Sequence, residues 1–136
     1  MTTYYHGTDF DSINFDELNP SSSQIDICLT DEERIARQYA GRWGAGFVME
    51  IWAGESLEIM DEEAALILAG ADADDIQFMD TSEKFHLIDQ LSGADVIAAG
   101  FDGVEYEDCL PGTRDKFTCT RLYTYRGLTI EEITEA

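Results

Sequence analysis

The segment Gly103-Val104-Glu105-Tyr106-Glu107-Asp108 holds three carboxylates within four positions. A strand period of two sends Glu105 and Glu107 to one face and Val104 and Tyr106 to the other. Two carboxylates on one face form either a solvated surface or the wall of a cleft, where they would stabilise developing positive charge. Asp108 follows at the strand end, where functional groups of sheet proteins emerge. A second group is Tyr5-His6-Gly7-Thr8 near the N-terminus. There the imidazole and the exposed backbone beside Gly7 can contact a ligand together. A third is Leu29-Thr30-Asp31, a strand-to-helix junction suited to anions, although Thr30 and Glu33 also make a capping-box pair that needs no ligand. Tyr39 and Ala40 on the following helix pack toward the core. His86, between Phe85 and Leu87, has a structural or surface role, and no serine or cysteine is paired with an obvious histidine.

These groups need elements to hold them. Residues 2–6 read as a strand ending at Gly7, and Asp9 to Gln24, with Pro20 and three consecutive serines, as a loop. Residues 25–29 alternate as a strand, and Asp31 to Ala40 form a helix stopped by Gly41. Phe47 to Trp52 form another strand, with a short stretch at Ser56 to Ile59. The middle is helical: Glu62 to Leu68 closes at Gly70, and Glu83 to Ala99 closes at Gly100, with Ser92-Gly93 as a point of interruption. Gly103 to Glu107 and Lys116 to Tyr125 are strands joined by a turn at Leu110-Pro111-Gly112-Thr113. Strands at both ends around a helical centre give a single mixed α+β domain over residues 1–136.

Charge limits the partners. Eight Lys or Arg stand against 29 Asp or Glu, a formal net charge of −21 in 136 residues. Such a chain repels polyanions, so direct nucleic-acid binding is excluded. With 44% hydrophobic and 11% aromatic residues it is nonetheless globular. From Trp43 to Glu83 there is no Lys or Arg against 11 acids, whereas Arg114, Lys116, Arg121 and Arg126 cluster late and could hold an anion. The three cysteines lack C-x-x-C spacing, which suggests neither a disulfide framework nor a zinc site and implies reduced thiols in a cytoplasm. No signal-like start and no apolar run of 18 residues is present, so no membrane is expected.

In their order along the chain, the Tyr5-His6-Gly7-Thr8 start, the Leu29-Thr30 strand end with its Ala36-Arg37-Gln38-Tyr39-Ala40 helix, and the late Gly100-Phe101-Asp102-Gly103-Val104 strand followed by acids resemble the ADP-ribosyltransferase family. The likeness is strongest to small phage-borne members, including those that inactivate type I-F CRISPR complexes. It implies a mixed, largely antiparallel β core with a central helical insert, and NAD as co-substrate, with no metal. His6 would bind the adenosine-side ribose, and Gly7 and Thr8 the nicotinamide amide. Tyr4, Tyr5 or Tyr39 would stack on the nicotinamide, beside Leu29 and Thr30. The catalytic acid would be Asp108, then Glu107 or Glu105. Arg34, Arg37 or Arg42 would meet the pyrophosphate. Cys28 stands where many members carry an aromatic. The implied activity is mono-ADP-ribosylation of a host protein side chain, in the cytoplasm of a bacterial host cell. The partner would be a CRISPR effector subunit with a basic surface. Two other readings remain: a non-enzymatic acidic mimic of nucleic acid built on the Trp43–Glu83 segment, and an ADP-ribosylating toxin from a toxin–antitoxin pair.

Overall fold

Strands from both ends of the chain meet in one seven-stranded sheet, ordered β4-β5-β6-β2-β1-β3-β7. The structure is a computed structural model that describes residues 2–8, 27–41, 46–54, 57–109, 116–124 and 128–135. Its strands are β1 (Thr2–Thr8), β2 (Ile27–Thr30), β3 (Phe47–Ala53), β4 (Ile59–Met60), β5 (Gly103–Cys109), β6 (Lys116–Leu122) and β7 (Leu128–Glu135). Its helices are α1 (Glu33–Gly41), α2 (Glu62–Leu68), α3 (Thr81–Asp89) and α4 (Gly93–Ala98), with a short 3-10 turn at Ile76–Phe78. This is a mixed α+β domain, as the pattern of strands around a helical centre implied. The expected loop at Asp9 to Gln24 and the turn at Leu110 to Thr113 lie outside the described residues.

Pairing explains where the helices must go. All neighbours are antiparallel except β4 and β5, which run parallel. Parallel neighbours cannot be joined by a tight turn and need a long crossover. The helical segment α2–α4 is that crossover. Likewise β2 and β3 flank β1, so α1, which joins them, has to pass over β1. Among the described residues no helix is long and apolar enough to cross a membrane.

Both crossovers cover the same face. Its core joins Ile35 of α1, Leu66 of α2, Ile88 of α3 and Val96 of α4 to Val104, Tyr106, Phe117 and Cys119 of the sheet. Each such side chain contributes about 1.5–3 kcal/mol by leaving water. A second, smaller cluster of Leu29, Met49, Ile51 and Leu122 lies on the other face with Tyr4 against it.

The helix ends have local causes. Asp61, Asp80 and Ser92 are N-caps of α2, α3 and α4, each accepting from the backbone N–H three residues on, at 2.8, 2.8 and 3.1 Å. Gly70 and Gly100, at φ +105° and +92°, turn the chain out of α2 and α4 in a conformation that other residues rarely adopt. The long helix expected from Glu83 to Ala99 is therefore two helices. Ser92, capping α4, marks the restart near the interruption that the sequence suggested. The capping box expected at Thr30 and Glu33 is replaced by a tighter contact: Thr30 Oγ1 accepts from the Glu32 amide at 3.1 Å, and α1 starts at Glu33. Strand β7 was not anticipated from the sequence.

Candidate functional site

One row of the sheet positions the site. Tyr106 of β5 pairs with Cys119 of β6, Cys119 with Thr30 of β2, and Thr30 with Tyr5 of β1. Cross-strand partners share a face, and this face is the one that carries the helices. Over the row, between α1 and α3, lies a cavity of about 240 Å³. Ile35, Ala36 and Tyr39 of α1 line one side, Phe85 of α3 another, and Asp108 and Arg121 supply its charge.

Gly7 lets α1 sit close enough to form that wall. A Cβ at Gly7 would collide with the backbone carbonyl oxygen of Ala36. The glycine is needed for helix–sheet contact whether or not a ligand uses its backbone.

The aromatic lining is held by ring contacts. Tyr39 meets Phe117 edge-on, centroids 6.0 Å apart and planes at 72°, and Phe85 lies 6.0 Å from Tyr106 at 52°. Such pairs add about 0.5–1.5 kcal/mol beyond burial and fix ring orientation. With Tyr5, five aromatic side chains surround one small volume.

The structure separates the three candidate carboxylates. Asp108 lies in phase with Val104 and Tyr106 and lines the cavity. Glu105 and Glu107 have the opposite parity and are exposed outside it. Burial against the other-face cluster raises the Tyr4 phenol above its ordinary value, and the negative charge of Glu105 adds a smaller push in the same direction. Glu107 pairs with Lys116 at 3.4 Å. Its amide donates to Glu62 Oε2 at 2.7 Å.

Burial raises the Asp108 carboxyl above the usual carboxylate value. The Cys109 amide, which donates to Asp108 Oδ1 at 2.7 Å, and the charge of Arg121 oppose that rise. Asp108 is thus a partly desolvated acid in an aromatic cavity, an environment in which a carboxylate acts strongly on nearby positive charge.

Of the other residues expected at a site, Tyr5, His6, Gly7, Leu29, Thr30 and Tyr39 all border this cavity. His6 and Leu29 do so from positions whose side chains take the other face: His6 pairs with Met49 of the other-face cluster, to which Leu29 itself belongs, so the expected imidazole contact is not made within this cavity. Thr8 is buried at the end of β1 and does not line the cavity. Tyr4 faces the other cluster, which leaves Tyr5 and Tyr39 as the stacking candidates. His86 is exposed on α3, its Nε2 3.0 Å from Gln90 Nε2.

The expected pyrophosphate cations fall elsewhere. Arg34 and Arg37 are exposed on α1, paired with Glu32 at 3.3 Å and Glu33 at 2.8 Å, and Arg42 lies outside the described residues. The cation at the cavity is Arg121, only 6% exposed. Its parity was the available signal, because on β6 Arg121 is in phase with Phe117 and Cys119, which face the core. Among the described residues no three His, Cys, Asp or Glu side chains gather as a metal site would require. Comparison with protein-family models, curated proteins and solved structures finds no match.

Proposed function

We propose that this chain is a phage-encoded mono-ADP-ribosyltransferase that uses NAD to modify a host protein side chain, acting as an anti-CRISPR on a type I-F-like effector complex in the bacterial cytoplasm. The observation that supports it is the convergence of three separate sequence motifs on one cavity: Tyr5-His6-Gly7, Leu29-Thr30 and Asp108. At about 240 Å³ the cavity is smaller than the roughly 300–1,000 Å³ that encloses most of a drug-sized ligand. It suits the nicotinamide–ribose end of a dinucleotide, with the remainder lying outside.

The residues present fit that end. Tyr5 and Tyr39 offer ring faces for the nicotinamide, and the β1 backbone at His6 and Gly7 offers polar contacts. As the bond between nicotinamide and ribose lengthens, positive charge builds on the ribosyl carbon. The Asp108 carboxylate stabilises that charge, and the aromatic walls keep water from competing with the protein acceptor. The acceptor nucleophile then takes the ribosyl group and nicotinamide leaves.

The direct test is incubation of the purified chain with NAD and host lysate, read by mass spectrometry for a mass increase of one ADP-ribosyl group. Labelling that Asp108→Ala abolishes is the expected result. Labelling that survives Asp108→Ala, or that Glu107→Ala abolishes, would defeat the site assignment.

A second reading has its own observation. The basic-residue-free segment from Trp43 to Glu83 carries 11 acids and exposes Phe78 at 80%, features suited to occluding a basic protein surface without catalysis. That mode requires stoichiometric protein, ignores NAD and weakens steeply with salt. Substoichiometric inhibition excludes it.

A further inference from the structure

The mechanism above does not use Arg121, although it is the cation at the cavity. Its guanidinium is held on several sides. Nη1 donates to Asp89 Oδ1 of α3 at 3.1 Å, and Nη2 donates to the Tyr106 hydroxyl at 3.2 Å. Cζ lies 5.9 Å from the Phe85 ring centroid and 5.5 Å from that of Tyr106, both within cation–π range. An arginine stays protonated in a protein, so this is a permanent charge fixed in an apolar cavity.

The geometry around it is asymmetric. The Arg121 side chain is 7% exposed, whereas that of its partner Asp89 is 58% exposed. On the sheet Arg121 pairs with Val104, Cys119 with Tyr106, and Phe117 with Asp108. Tyr106 therefore stands between the rows of Arg121 and Asp108 on one face, and the guanidinium reaches back to it. Asp89 is ion-paired with this cation from the solvent side, and Asp108 lines the same cavity.

We propose that Arg121 is the positioning residue of this site, its positive charge shared between Asp89 on α3 and Asp108 in the cavity, so that the seating of α3 sets how much of that charge reaches Asp108. For the proposed NAD cleavage, on which this consequence rests, Asp89 has a defined part. A bare guanidinium would oppose positive charge on the ribose, and Asp89 neutralises it, leaving the Asp108 carboxylate to act on the substrate. The other titratable groups facing the cavity are Tyr5 from β1, Tyr39 from α1, Tyr106 from β5 and Cys119 from β6, whereas His6 shares the opposite face with its cross-strand partner Met49. Phe85, the α3 side chain on the lining, is uncharged, so α3 acts electrostatically through Asp89.

The test is a carboxyl-carbon NMR titration of Asp108 in the full chain, which requires neither NAD nor activity. Asp89→Asn, a near-isosteric change at an exposed position, frees the guanidinium for Asp108 and lowers its midpoint by about one pH unit. Arg121→Met removes the cation and raises the midpoint by a similar amount. If Arg121→Met does not fold, Asp89→Asn decides alone. A midpoint that stays or rises in Asp89→Asn overturns the proposal, because a purely structural pair predicts no fall. Absence of ADP-ribosyl transfer with a shifted midpoint defeats the proposed function and leaves this inference standing. Labelling with an unmoved midpoint does the reverse.

Discussion

Glu107 and Asp108 are neighbours in the chain and face opposite sides of β5, Asp108 into the aromatic cavity and Glu107 out to Lys116. One residue of strand parity thus separates a desolvated acid from a solvated one. The carboxylates are chemically alike, and only the pleat distinguishes them.

The first expectation concerns those carboxylates. Asp108→Asn should reduce ADP-ribosyl transfer by at least about a hundredfold, the loss typical of removing one preorganised group that stabilises transition-state charge. Glu105→Gln and Glu107→Gln should each stay within about threefold of the parent, since surface charges away from the reacting atoms act weakly. Initial-rate labelling assays on the three variants decide it.

The same substitution should change stability in the opposite sense. The Asp108 carboxyl pKa is raised in the folded protein, so the folded state holds the extra proton between the ordinary value and the raised one. Stability therefore falls as pH rises through that window and remains lowered above it. Asp108→Asn, which cannot ionise, should be more stable than the parent at neutral pH. The difference should vanish in acid below the ordinary carboxylate pKa. Urea melts across the acidic range measure both limits.

Gly7→Ala tests helix–sheet contact. The added methyl meets the Ala36 carbonyl, and either α1 must lift or the strand must shift. A loss of about 1–3 kcal/mol or more is expected from overpacking. Because α1 carries Tyr39 and Ile35 into the cavity wall, quenching or binding signals from that cavity should change with it. Chemical denaturation together with ligand titration separates the two effects.

Asp80→Ala tests the cap of α3. Its side chain satisfies the Glu83 amide at 2.8 Å, and losing it should cost about 1 kcal/mol. The effect should appear as a lower melting temperature with unchanged secondary-structure content. Because α3 carries Asp89 and Phe85 toward Arg121, fraying there should also loosen the cavity.

Much of this architecture was legible because local rules act over a few residues. The parity of Val104 and Tyr106 against Glu105 and Glu107 was readable, and the pleat carried it into three dimensions unchanged. Gly70 and Gly100 ended helices as their type suggests. Strand β7 escaped for a physical reason: a register shift against β3 leaves Glu131 unpaired between Ile130, opposite Ile51, and Glu132, opposite Glu50. That extra residue breaks the period of two, so Ile130 and Ile133 fall three apart and no alternation is visible. Arg121 escaped because a charged residue is ordinarily exposed. Its burial depends on Asp89 and on the Phe85 and Tyr106 rings, which lie 32, 36 and 15 positions away in sequence. Arg34 and Arg37 lie near Thr30 in sequence, but the exposed side of α1 carries them away from the cavity.

That bulged strand also has a consequence for the molecule as a particle in solution. An open sheet offers unpaired N–H and C=O groups at its borders, where another chain can add as a further strand. Among the described residues one border is β4, only two residues long. The other is β7, kinked at its bulge and presenting Glu131, Glu132 and Glu135 to solvent. A second copy arriving at β7 would have to bring its own carboxylates against these and follow an irregular ladder. Short length at one border and an irregular, acidic ladder at the other both disfavour the addition of a further strand.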